Sequence, residues 1–113
     1  MTDYVPAKTK KKTQAEDFVV TIIVTQNPKV VIVVPDPVRI NKDKKDTVSW
    51  VCPQGLDFEV DFPETPFHAH HFDQRTAKKL HPRDDVVNNA NRPYKYSVIV
   101  AGITEDPGLI VDP

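Results

Sequence analysis

Short runs of Val, Ile and aromatic residues, cut by proline and charge, set the rhythm of this chain from Phe18 onward. Phe18-Val19-Val20-Thr21-Ile22-Ile23-Val24-Thr25 and Val30-Val31-Ile32-Val33-Val34 are dense in β-branched residues, and Gln26-Asn27-Pro28-Lys29 separates them. Two such runs joined by a turn predict buried strands, with a hairpin as the candidate pairing. Pro35-Asp36-Pro37 then interrupts the ladder, because proline has no N–H to give, and Val38-Arg39-Ile40 resumes it. A break of this kind lets a strand leave one sheet and join another. Residues 41–46 read as a charged turn.

Thr47-Val48-Ser49-Trp50-Val51 alternates with period two, which directs Val48, Trp50 and Cys52 to the core. Phe58-Glu59-Val60-Asp61-Phe62 repeats the alternation, with Phe58, Val60 and Phe62 inward and Glu59 and Asp61 outward; Pro63 and Pro66 end that strand. Residues 73–93 are the least regular. Residues 76–80 predict one helical turn with Asp73 as its N-cap, and a loop follows through Asn88-Asn89-Ala90-Asn91-Arg92-Pro93. Tyr94, Tyr96 and Val98 mark another alternating strand, Asp106-Pro107-Gly108 turns the chain, and Leu109-Ile110-Val111 closes it. Six or seven strands with turns between them predict an all-β sandwich.

Composition fits that picture. A chain of 113 residues is most simply one domain. Only 3 glycines against 11 prolines suit many strand ends and turns rather than helices. Residues 1–17 form a polar, lysine-rich tail expected to be flexible, and residues 18–113 the domain. The tail sets Lys8, Lys10, Lys11 and Lys12 against Asp3, Glu16 and Asp17, a net +1; the remainder holds 11 basic and 13 acidic residues, a net −2. So weak a basic field argues against nonspecific nucleic-acid binding, and the tail reads as a solubilising segment. Cys52 stands alone, so no internal disulfide forms; it shares the inward face with Trp50 and reads as a buried, inert thiol. No apolar run approaches the roughly 20 residues that cross a bilayer. The β-branched run after the lysines lacks a small-residue cleavage site, so it is not read as a signal peptide, and the expected location is cytoplasmic.

In order and spacing, Asp46-Thr47-Val48-Ser49-Trp50-Val51, Tyr94-Lys95-Tyr96-Ser97-Val98 and Pro107-Gly108-Leu109-Ile110-Val111 resemble a cupredoxin domain, over some 80 residues from Val30 to Val111. The chain is most similar to small bacterial cupredoxin-like domains without a copper site. The resemblance implies a Greek-key β-sandwich of about seven strands, with residues 18–25 outside the matching part as an added sheet strand or an arm for a neighbour. It also implies where copper ligands belong. The first histidine is due near Phe58, flanked here by Asp57 and Glu59; the cysteine is due just after Tyr96, where Ser97 stands. No histidine follows His81, and the sole methionine is Met1. Blue copper needs two imidazoles, a thiolate and a weak axial ligand, so neither type-1 copper nor electron transfer is expected.

The densest polar chemistry is Phe67-His68-Ala69-His70-His71-Phe72, with His81 ten residues on. In an extended segment His68 and His70 share a face. With His71, His81 or Asp73 they are candidate ligands for Zn, Cu or Ni. The plainer reading is an exposed loop that Phe67 and Phe72 anchor to the core. Asp57, Glu59 and Asp61, and the pair Asp84-Asp85, read as solvated acids rather than acid–base catalysts or a Ca²⁺ site. No Ser/His/Asp order, phosphate loop or nucleophile elbow is present, so no enzyme is expected. The expectation is a binding or assembly module that holds a protein partner or itself through residues 18–25, an apolar strand hazardous unless paired. Neither a membrane nor nucleic acid is the expected partner, and no cofactor is implied. The alternative is a metal-binding protein using His68, His70, His71 and His81.

Overall fold

Asp17 opens the longest strand of the computed structural model, which describes residues 15–86 and 92–112. This strand, β1 (Asp17–Val24), is followed by β2 (Val31–Val34), β3 (Val38–Asn41), β4 (Thr47–Val51), β5 (Phe58–Asp61), β6 (His71–Asp73), β7 (Tyr94–Lys95), β8 (Ser97–Val100), β9 (Ile103–Glu105) and β10 (Gly108–Asp112). The described residues are therefore all-β: ten strands in three small sheets, ordered β2-β1-β4, β3-β10-β7 and β6-β5-β8-β9, with no helix.

The two β-branched runs form the expected hairpin, with Thr21 opposite Val34 and Ile23 opposite Ile32. The proline break does what its chemistry allows: β2 belongs to one sheet and β3 to another. Asp36, between the two prolines, accepts a 2.9 Å hydrogen bond from the Gly108 N–H and so ties the break to the start of β10. The count exceeds the expected seven because β6 and β9 form in segments not expected to be strands and because one run divides where it changes partners. Tyr94 to Val98 is one alternating run in sequence. In the fold it splits at Tyr96, with β7 pairing to β10 and β8 to β5.

Two parallel pairings complete the frame, β1 with β4 and β3 with β10. Residues 18–25 therefore supply an interior strand, β1, rather than a free arm. β1 pairs with β4 over Asp17 to Thr21 and with β2 over Thr21 to Val24. Beyond the end of β4, the Gln54 side chain takes over: its Oε1 accepts from Val24 N at 2.7 Å and its Nε2 donates to Val24 O at 2.8 Å. At the other end, the buried Asp46 carboxylate accepts from Glu16 N at 3.0 Å and Asn41 N at 2.9 Å, joining the approaches to β1, β3 and β4.

One core unites the three sheets. Val20, Ile22, Val48 and Trp50 meet Val38, Ile40, Leu109 and Val111, and Phe58, Val60, Val98 and Val100. At its centre, Trp50 makes edge contacts with Phe62, Phe67 and Tyr96 at centroid distances of 6.2, 6.4 and 5.5 Å, and its Nε1 donates to the Tyr96 hydroxyl at 3.2 Å. Burial pushes the Tyr96 phenol above its usual pKa, since the phenolate would lose its hydration.

The helical turn expected at residues 76–80 is not formed. Asp73 does accept from Arg75 N and Thr76 N, at 2.8 and 3.1 Å, as a cap would. The turn then stops because the next residues serve the open edge of β4: Trp50 N donates to Ala77 O, and Leu80 bridges Val48. Cys52 also departs from expectation. It packs against the core on the expected side but is only half-buried, since it lies past the end of β4, where the chain turns at Pro53. The lysines at positions 8–12 and the asparagines at 88, 89 and 91 lie outside the described residues.

Candidate functional site

Two surfaces carry features that a solvated sheet does not need. The first is the outer face of β2-β1-β4. Alternation sends Phe18, Val20, Ile22 and Val24 inward, and Asp17, Val19, Thr21 and Ile23 outward. The register sets Ile32 and Val34 of β2 beside Ile23 and Thr21, and Val51 of β4 on the other side of Thr21. Val19, Ile23, Ile32, Val34 and Val51 are thereby left 47, 37, 42, 51 and 37% exposed on this one face, around Thr21. Singly exposed aliphatic residues need no explanation, but a group sharing one face does. The end of the face nearest the start of β1 is polar: Thr47 and Ser49 hydroxyls donate to Asp17.

The second surface is the outer face of β5 and β6. Asp61 lies opposite His71 and Glu59 opposite Asp73. The Asp61 carboxylate meets His71 Nδ1 in a close ion-paired hydrogen bond, and both side chains remain well exposed. Hydrogen bonding to Asp61, aided by Glu59 and Asp73, raises the His71 pKa above its ordinary 6.5. Asp73 moves the other way, held below the usual carboxylate range by the backbone N–H groups of Arg75 and Thr76.

The four candidate histidines part company. His70 places Nδ1 2.8 Å from Phe62 O, and His81 places Nδ1 3.2 Å from Pro82 O. The His68 and His81 rings meet edge to face with centroids 6.0 Å apart. His71 turns to the carboxylates of β5. Among the described residues, the grouping of three or more candidate metal ligands is Glu59, Asp61 and His71, with one donor atom from each lying within 4.8 Å of the others. Sequence reasoning singled out His71 but set Glu59 and Asp61 aside as a solvated strand face. The missing signal is the register between two strands nine residues apart.

The Asp61–His71 pair gives a direct expectation. With divalent ions chelated, NMR titration of the His71 ring should show a midpoint above 6.5, and Asp61→Asn should lower it. Because the folded-state value is the raised one, protonated His71 favours the fold fully below about 6.5, and this contribution fades as pH climbs through the folded-state midpoint. An unchanged midpoint in Asp61→Asn would show that the contact does not persist in solution.

No protein-family model, curated protein or solved structure matches this chain.

Proposed function

We propose that this protein is a non-enzymatic assembly module, built on a cupredoxin-like sandwich without a blue-copper centre, that associates with a second copy through the outer face of β2-β1-β4. The apolar patch of Val19, Ile23, Ile32, Val34 and Val51 carries the reading. β-Sheets bury such faces against other sheets about 10 Å away, in a sandwich or across an interface. A second copy suits this patch because the patch is uncharged and the chain's formal net charge is −1, so two copies meet with little repulsion. The cupredoxin-like part rests on the order of sequence motifs, with Trp50 and Tyr96 bonded at the core as its support. Ser97, at the position the resemblance gives to the copper cysteine, donates its hydroxyl to Asp106 at 2.9 Å.

Sedimentation equilibrium of the untagged chain, from low micromolar to millimolar concentration, tests this function. The wild type should dimerise, and Ile23→Lys and Val34→Lys should leave folded monomers, because exposed substitutions change fold stability by only about 0.5 kcal/mol. A wild type that stays monomeric throughout, or a dimer indifferent to both lysines, overturns the assignment.

A further inference from the structure

Strand register assembles a donor set that chain proximity does not. Glu59 and Asp61 are two residues apart on β5 and so leave the same face; His71 reaches that face from β6, opposite Asp61. All three side chains spring from paired strands, so their backbone positions are set before any ligand arrives. A transition-metal ion bound at about 2.0–2.2 Å from each ligand needs its donors roughly 3–4 Å apart. The donor atoms of Glu59, Asp61 and His71 lie within 4.8 Å of one another, so an ion would draw Glu59 in and replace the direct Asp61–His71 hydrogen bond.

The Asp61–His71 ion pair alone would explain why those two groups touch. Glu59 lies beside that pair on the same face, and its carboxylate oxygen lies within 4.8 Å of the other two donor atoms. Asp73 completes a two-by-two block of ionisable side chains across β5 and β6, with its carboxylate occupied by the turn that follows. No lysine or arginine among the described residues pairs with Glu59 or Asp61. Two carboxylates beside one imidazole offer a dication both charge balance and a nitrogen ligand. The nitrogen favours zinc-like ions over Ca²⁺ or Mg²⁺, which prefer all-oxygen shells.

We infer that Glu59, Asp61 and His71 form a surface site for one divalent transition-metal ion, with Zn²⁺ as its representative and water in the remaining positions. The site belongs to the β6-β5-β8-β9 sheet and does not depend on the proposed assembly face. It also differs from a site built on the histidine-rich loop, since His68 and His81 have no part in it.

Calorimetric titration of Zn²⁺ into the untagged, metal-free chain decides the matter, using wild type, Glu59→Gln, Asp61→Asn, His71→Ala and the double variant His68→Ala/His81→Ala. The wild type should bind one ion, and losing any of the three ligands should weaken binding at least tenfold, as losing even an outer-shell partner of a metal ligand commonly costs about 10–100-fold. The double variant should bind like wild type, and Zn²⁺ should move the His71 ring resonances in NMR spectra. Circular dichroism checks that every variant is folded; the two conservative exposed changes keep the test valid if His71→Ala is not. Absence of saturable binding, binding indifferent to both Glu59→Gln and Asp61→Asn, or binding lost in the double variant would each overturn the site. Sedimentation with and without Zn²⁺ separates its failure from that of the assembly reading.

Discussion

Trp50→Ala should destabilise the fold by about 3–5 kcal/mol, as loss of a large buried aromatic usually does. Trp50 is 1% exposed and forms edge contacts with three other rings. These rings come from the segment after β5 and from the junction of β7 and β8, so the cavity can collapse only if those segments shift against β4. The substitution also strips the buried Tyr96 hydroxyl of the donor that reaches it at 3.2 Å. A domain of this size has about 5–15 kcal/mol in total, so the variant should sit near the edge of folding at 25 °C. Urea unfolding followed by far-UV circular dichroism measures the change without the lost fluorophore. Trp50→Phe, which keeps most of the packing and removes the N–H, should recover much of the loss. A cost under about 1 kcal/mol for Trp50→Ala would show that the centre repacks freely, against the rigidity expected of a close-packed interior.

Asp46→Ala should follow at about 2–4 kcal/mol, from two donor groups left without their acceptor. Asp46 is only 3% exposed, and its carboxylate receives the Glu16 and Asn41 N–H groups. Around the same point, Thr47 N donates to Glu16 O and Asp46 N to Asn41 O. Removing the carboxylate therefore loosens the entry to β1 and β4 and the exit of β3 together. Urea midpoints give the energy, and amide exchange at Glu16 and Asn41 should accelerate before exchange in the core of β5 does. Asp46→Asn keeps one acceptor oxygen and should retain part of the stability. Equal exchange protection in Asp46→Ala and wild type would mean that other groups hold this junction.

Much of the backbone arrangement was legible in the sequence. The hairpin of β1 and β2 follows from two β-branched runs around Asn27-Pro28, and the change of sheet after β2 follows from proline's missing N–H. The inward direction of Val48, Trp50, Phe58 and Val60 follows from period two. Partner choice was less legible. Nothing local to the chain says that β1 lies parallel to β4, or that a strand running through Tyr96 must divide between two sheets. Asp73 shows the limit from the other side: its side chain behaves as a cap, yet the helix it would start loses to the open edge of β4, a tertiary demand. The candidate metal ligands are a case of register. His71 stood out among neighbouring histidines, but its two acidic partners become visible only when β5 and β6 are aligned. The sandwich topology and the role of residues 18–25 in association remain parts of the proposal.

The two hydrogen bonds from Gln54 to Val24 have a consequence for how chains can meet. A primary amide presents one donor and one acceptor, just as a peptide group does, so Gln54 stands as a surrogate for a single residue of strand. An incoming chain therefore finds no free N–H or C=O at Val24 from which to extend the ladder. On the far side of the sheet, β2 runs directly into Pro35, which offers no N–H either. Growth by edge pairing, the route to open-ended fibres, is thus discouraged where Gln54 meets Val24 and where the Ala77 and Leu80 backbone already occupies the outer edge of β4. If copies meet through the outer face, as proposed, a face used once by each copy produces closed pairs rather than filaments.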